Sequence, residues 1–312
     1  MDELRFDGQT AIVTGAGGSP SLGRAHALLL AARGANVVVN DIARDPETPG
    51  YTDQASAEAV AQEIRALGGA AVADVHSVAT EAGAAALVQT AIDAFGGVDI
   101  LVNNAGVSIA ASFAEMTARD FQRHIDINLM GAVWTCRAAW GHMRAKGYGR
   151  IVNTTSGAMA GVGALVAYGA SKGGLWSFTR ALAAEGAAFG IKANALNPGA
   201  FTRMVAAQQE ETSPMYQHAR RNLPAELVSP VVAYLAHASC PVSGECIEAV
   251  GGEVRRVYLA QTAGFADREL TVETVARRWD EVMAGAPDSI IGCAAFDPAE
   301  WDLKPYRGAA NA

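Results

Sequence analysis

The chain has 312 residues, 50% of them hydrophobic and 18% charged, enough to bury one large core. Its net charge of −8, with no basic run, excludes the electrostatic footprint of a nucleic-acid-binding protein. The N-terminus MDELRFDGQT has neither the basic nor the apolar region of a cleaved signal, and no apolar run reaches the roughly 18 residues of a membrane span, so a soluble cytoplasmic protein is expected.

In chain order, TAIVT (10–14) is apolar and continuous, as a strand buried on both faces reads. It leads into GAGGSPSLG, whose Gly15 and Gly23 stand eight positions apart. Ser21-Leu22-Gly23-Arg24 then opens the helical stretch SLGRAHALLLAARG, with Ser21 suited to cap it. Free backbone N–H groups and the dipole at such a helix start favour a diphosphate. The second strand, NVVVND (36–41), ends on Asp41, 18 positions past Gly23. A carboxylate there accepts both ribose hydroxyls of NAD and repels the 2′-phosphate of NADP. No Lys or Arg lies between Gly15 and Gly23, whereas Arg24 and Arg44 are near enough to keep NADP open.

After a polar loop at 43–54, helical SAEAVAQEIRALGG and EAGAAALVQTAIDAFGG alternate with strands AAVADV (70–75) and DILVNN (99–104). The long RDFQRHIDINLMGAVWTCRAAWGHMRAKG reads as one helix, followed by GRIVNTT (149–155), helical VAYGASKGGLWSFTRALAAEGAAFG, IKANALN (191–197) and ECIEAV (245–250). Several helices end on glycine, as helix C-termini often do. The alternation predicts an α/β fold, a Rossmann-type doubly wound parallel sheet of about seven strands with helices on both faces. Residues 200–223, long and poorly patterned, are expected to form a substrate lid ahead of the helical PAELVSPVVAYLAH. Residues 1–252 would be the catalytic domain and 253–312, with a helix at TVETVARRWDEVM, an extension packing on it or on a partner subunit. Cys136, Cys240, Cys246 and Cys293 are scattered without a CxxC and read as reduced thiols, and the six histidines show no HExxH, so no metal is expected.

Tyr168 and Lys172, in AYGASKGG, are four apart and share one helix face. A tyrosine near its reference pKa of about 10 is a poor base at pH 7, and each unit of lowering needs about 1.4 kcal/mol of phenolate stabilisation. An adjacent ammonium and an oxidised nicotinamide supply it. Ser156, at the end of the fifth strand, is placed to bond a substrate oxygen, with Thr155 the alternative. Singly, a buried tyrosine only donates a hydrogen bond and a serine at a strand end only starts a turn. Together, downstream of a dinucleotide loop, they point to catalysis.

On these residues the chain resembles the short-chain dehydrogenases/reductases over about residues 8–252. The matching segments are the Gly15–Gly23 loop, Asp74-Val75, NNAG at 103–106, Asn128 in DINLMG, Ser156, Tyr168-x3-Lys172 and NPGAFT at 197–202. The resemblance implies Tyr168 as acid/base, Lys172 lowering its pKa and holding the ribose, Ser156 orienting the substrate oxygen and Asn128 holding a proton-relay water. It further implies a cofactor cleft with Gly15, Ser21, Leu22, Gly23 and Asp41 on the loop side, Asp74 and Val75 flanking the adenine, and Asn104, Ala105, Gly106, Pro198, Gly199 and Thr202 lining it. Two features depart from the family pattern: the phosphate loop is about two residues longer than usual, and Ser156 stands 12 positions before Tyr168, one fewer than is common. Within the family, CRAAWGHMRAKGYGRIV, the 43–54 loop and LTVETVARRWDEVM resemble the (3R)-hydroxyacyl-CoA dehydrogenase domain of the peroxisomal multifunctional enzymes of type 2 and bacterial relatives.

The implied activity is hydride transfer between a secondary alcohol or ketone and NAD, on a 3-hydroxyacyl-CoA or hydroxysteroid-type substrate, in a homodimer or homotetramer. The alternatives are a dehydrogenase of another small hydrophobic alcohol, a sugar-nucleotide epimerase, and a non-catalytic NAD-binding regulator, which would typically lack the tyrosine or lysine. YQHARRN in the lid offers His218, Arg220 and Arg221 to CoA phosphates, or is a solvated helix face.

Overall fold

A computed structural model of the chain describes residues 3–42 and 56–293. The chain divides into two compact units, 1–256 and 257–312. In the first, β1 (Thr10–Thr14), α1 (Leu22–Ala32), β2 (Asn36–Asn40), α2 (Ala57–Ala66), β3 (Ala70–Asp74), α3 (Glu81–Phe95) and β4 (Ile100–Asn103) form one half of a doubly wound sheet. The polar loop at 43–54, with Arg44, lies outside the described residues. Next come α4 (Ala118–His124), one π-helical turn (Ile125–Met130), α5 (Gly131–Lys146), β5 (Gly149–Thr154), α6 (Val166–Gly186) and β6 (Ile191–Gly199). Then α7 (Arg203–Ala207), α8 (Pro214–Asn222), α9 (Ser229–Ala236), β7 (Cys246–Val250) and β8 (Glu253–Val257) follow.

Sheet order is β3-β2-β1-β4-β5-β6-β7-β8, with β1 to β7 paired in parallel. Alternate residues of each strand enter two separate cores, which is why the strands read as unbroken apolar runs. Val13, Val37 and Val39 pack with Leu30 and Ile64 on the α1/α2/α9 side. Ile12, Val38 and Leu101 pack with Leu87 and Met143 on the α3/α5/α6 side.

The structure differs from the sequence expectation in four places. Among the described residues the main sheet has eight strands rather than about seven, because Gly251 and Gly252, both at positive φ (57° and 88°), turn the chain back into EVRRV. Two successive positive φ values define the hairpin turn that only glycine-like residues adopt without strain. The stretch 119–147 is two helices separated by the π turn. Residues 200–223 are not irregular: Thr202 caps α7, and Ser213 caps α8 with Pro214 in its first turn. In the second unit TVETVARRWDEVM divides into α10 (Val272–Arg277) and α11 (Trp279–Met283), and β9 (Ala260–Gln261) pairs antiparallel with β10 (Ser289–Ile290). Among the described residues no helix is long and apolar enough to cross a membrane.

Candidate active site

The strand C-termini open onto a cleft of about 500 Å³. Parallel strands place their C-terminal ends on one side, and at the point between β1 and β4 where the winding reverses the helices part to leave a crevice. Gly15, at φ 64°, makes the turn out of β1. A Cβ there would stand 2.7 Å from Ala105 Cα, and a Cβ on Gly23 would overlap the Gly15 carbonyl, so both positions hold only glycine. Ser21 caps α1 by accepting from Arg24 N (3.1 Å), and with Leu22 it lines the cleft. Asn104 closes the other side: its Nδ2 donates to the carbonyls of Thr14 (2.9 Å) and Gly15 (3.1 Å), and its N–H to Thr14 Oγ1 (3.0 Å).

Asp41, just past β2, lines the cleft, and its Oδ2 accepts from Gly17 N at 2.8 Å. Arg24 is drawn sideways onto α2, with Nε 3.0 Å from Glu63 Oε2 and Nη2 2.5 Å from Glu63 Oε1. Asp74 ends β3 with its carboxylate committed internally. Its Oδ1 accepts from Asn40 Nδ2 (2.7 Å) and His76 N (3.0 Å), and its Oδ2 from Thr90 Oγ1 (2.8 Å), with His76 Nδ1 at 2.8 Å. Asp74 and the exposed Val75 are not among the residues lining the cleft; Ser77, Val78 and Ala79 hold that edge. Nothing in the sequence distinguishes that tripeptide.

At the other end, Ser156, Tyr168 and Lys172 meet on one wall. Successive strand residues face opposite ways. Thr155 Oγ1 donates to Leu196 O at 2.8 Å, and Ser156 lines the cleft with Tyr168, its Oγ accepting from Ala158 N at 3.3 Å. Burial pushes the Tyr168 hydroxyl above its ordinary value, and the neighbouring Ser156 hydroxyl works against that by favouring the phenolate. Lys172 Nζ, 5.8 Å from the Tyr168 ring centroid, donates to Thr154 O at 2.7 Å, and burial lowers its pKa to about 8. Gly106 leaves room here, since a Cβ would approach Asn128 Oδ1 to 3.1 Å and Lys172 Nζ to 3.5 Å.

Asn128 lies behind this wall in the π turn and is buried. Its Oδ1 accepts from Val107 N (2.8 Å), and its Nδ2 donates to Val107 O (2.9 Å) and Ser171 Oγ (3.1 Å). Two further side chains, missed in the sequence, hold the same segment. His124 Nε2 accepts from Ile109 N (3.0 Å), and Gln208 Nε2 reaches from the lid to Ser108 O (3.1 Å). Beneath them a buried polar chain crosses the sheet. Thr135 Oγ1 donates to Asn103 Oδ1 (2.7 Å), Asn103 Nδ2 to Asn153 Oδ1 (2.9 Å) and Asn153 Nδ2 to Thr179 Oγ1 (2.9 Å). Of the lid, Met204, Val205, Met215, Ala219 and Leu223 line the cleft, and His218, Arg220 and Arg221 are exposed.

The chain belongs to the short chain dehydrogenase family, whose pattern it matches over residues 9–213. It is 43% identical over 276 residues to a short-chain type dehydrogenase/reductase of Mycobacterium tuberculosis, covering 87% of this chain and 92% of that protein. It is 38% identical over 280 residues to peroxisomal multifunctional enzyme A of Dictyostelium discoideum, covering 89% of this chain and 61% of that enzyme. The full-length peroxisomal multifunctional enzyme type 2 of Drosophila melanogaster superposes with a TM-score of 0.76 at 32% identity, over 96% of this chain and 49% of that one.

Proposed function

We propose that this dehydrogenase/reductase interconverts a secondary alcohol and a ketone with NAD(H), on a substrate with an extended apolar body such as a 3-hydroxyacyl thioester or a hydroxysteroid. The observation that carries the reading is the convergence of Ser156, Tyr168 and Lys172 at one end of a cleft whose other end is closed by the Asp41 carboxylate. A dinucleotide fits these residues. The glycines at 15 and 23 leave no side chain over the α1 start, Asp41 suits a ribose diol and repels a 2′-phosphate, and Arg24 is occupied by Glu63. When bound, the nicotinamide supplies the hydride acceptor or donor.

The chain's own residues do the rest. Tyr168 Oη takes the proton of the substrate hydroxyl in oxidation and returns one in reduction. Ser156 Oγ donates its one O–H to the reacting oxygen, stabilising charge where it develops. Lys172, held on Thr154 O, keeps donors to spare for the ribose and its charge beside the phenol. The Asn128 side chain is spent on Val107 and Ser171, so a relay water would be held by its main-chain carbonyl. Met204, Val205 and Met215 line the cleft with apolar surface and favour an apolar substrate.

A non-catalytic regulator would have no use for Ser156, Tyr168 and Lys172 gathered in one cleft. The test is a fluorescence titration with NADH and NADPH, followed by a turnover screen of 3-hydroxyacyl-CoA and hydroxysteroid substrates. Tighter NADH binding and oxidation of a secondary alcohol support the reading. Binding without turnover of any alcohol or ketone rejects it.

A further inference from the structure

The longer phosphate loop has a physical purpose visible in how it meets the lid. Residues 17–20, Gly-Gly-Ser-Pro, bulge from the turn after β1 toward the start of α7. Arg203, the first residue of α7, donates its backbone N–H to Pro20 O at 3.1 Å. Its guanidinium lies against Gly18, where any Cβ would overlap Nη2, Cζ and Nε. Gly18 is therefore a seat for an arginine side chain, and the loop and lid are joined at this point.

Charge along the cleft makes the position informative. Among the described residues lining it, the ionisable groups with formal charge are Asp41, Lys172 and Arg203. Asp41 marks the ribose end and adds a negative charge. Lys172 is fixed at the reacting end by Thr154 O. The diphosphate between them carries two negative charges, and the loop from Gly15 to Gly23 contains no Lys or Arg. Backbone N–H groups at the α1 start supply partial charges only. A guanidinium is suited to the remaining need, since its planar fork donates to two phosphate oxygens at once.

Resting on the dinucleotide reading above, we propose that Arg203 is a diphosphate-binding residue carried by the lid, so that the cofactor itself fastens the first turn of the lid to the phosphate loop. Cofactor uptake then precedes formation of a complete substrate wall, because Met204 and Val205 follow Arg203 directly on α7.

The test compares binding of NADH, ADP-ribose and adenosine to the wild type, Arg203→Met and Arg203→Lys, by calorimetry or ligand-observed NMR. Arg203→Met keeps an unbranched side chain reaching toward Gly18 and removes the charge. It should weaken NADH and ADP-ribose by about 10- to 100-fold, leave adenosine unchanged, and flatten the salt dependence of ADP-ribose binding, with Arg203→Lys intermediate. ADP-ribose affinity unchanged in a folded Arg203→Met, or adenosine weakened as much as ADP-ribose, overturns the proposal while the dinucleotide reading stands. A wild type that binds neither NADH, NADPH nor ADP-ribose overturns both.

Discussion

The imidazole of His124 stands edge-on to the ring of Tyr168, with centroids 6.2 Å apart and planes at 68°. Both imidazole nitrogens are engaged: Nδ1 donates to Asp120 O (2.7 Å) and Nε2 accepts from Ile109 N (3.0 Å), which fixes the neutral tautomer. His124 thus positions the phenol and the segment roofing it without touching substrate. His124→Phe keeps a ring but strands the Ile109 N–H, at a cost of about 1–3 kcal/mol. Turnover should fall roughly tenfold with a smaller change in KM, and Tm should drop. Steady-state kinetics beside a thermal melt check it; lost stability with full turnover would make the residue merely structural.

Ser156→Ala should lower kcat by about 10² with NADH affinity nearly unchanged, because one donor to the developing charge is lost. The Ser156 hydroxyl pulls the Tyr168 pKa downward, so its removal should also move the acidic, rising limb of the kcat/KM profile for alcohol oxidation to higher pH. Thr155→Val should cost stability, through Leu196 O, rather than turnover. The two pH profiles and the two melts together separate the neighbours.

For cofactor choice the informative change is Asp41→Asn, which retains an acceptor for Gly17 N and removes the charge. NADPH affinity should rise and NADH affinity fall, each by roughly tenfold, measured by fluorescence titration. A wild type that prefers NADPH contradicts the role given to the carboxylate.

The lid helix α8 turns Met215, Ala219 and Leu223 to the cleft. At about 100° per residue, Arg220 flanks that face and Arg221 lies on the far side. Of the two arginines on α8, Arg220 is the one placed to meet the phosphates of a CoA thioester at the mouth. Arg220→Ala should raise KM for a 3-hydroxyacyl-CoA by up to roughly fivefold, less at high salt, with no change for a neutral steroid alcohol. Arg221→Ala serves as the control, and equal effects of the two changes would remove the argument.

Stability should fall in acid through a group remote from the cleft. His26 on α1 is buried, its Nδ1 2.8 Å from Ser229 Oγ on α9, and burial lowers its pKa from 6.5 to about 3. The unfolded chain therefore binds a proton below about pH 6.5 that the folded chain refuses until about pH 3. In that window stability declines as pH falls, by roughly 2 kcal/mol at pH 5 from this residue alone. Denaturant unfolding at pH 7.5 and pH 5, in the wild type and in His26→Met, should show a smaller acid loss in the variant.

Much of this was legible in the sequence because burial on both faces leaves a plain mark. The runs that became β1 to β7 could be read as strands, whereas EVRRV, an edge strand with three charged residues, carries no apolar run. The division between α4 and α5 left no trace, since a π turn inserts no breaker residue, and Asn128 within it bonds Val107 and Ser171, which are distant in sequence. The lid was underread for a different reason: Ser213-Pro214 is a cap followed by a first-turn proline, a signal present in the letters. The committed carboxylate of Asp74 could not be foreseen, because its partners Asn40, His76 and Thr90 come together only when β2, β3 and α3 pack. The choice between Thr155 and Ser156 follows from strand alternation once the end of β5 is fixed.

The polar chain from Thr135 through Asn103 and Asn153 to Thr179 ties α5, β4, β5 and α6 into one frame, and no residue of 200–223 belongs to it. Residues that choose the substrate and residues that move the proton therefore answer to different constraints. On the function proposed above, cleft-lining lid positions such as Met204, Val205 and Met215 can drift or be replaced across descendants of this chain while Arg203 keeps its seat on Gly18 and Ser156, Tyr168 and Lys172 stay in register, so that a new substrate can be adopted without the reaction having to be reinvented.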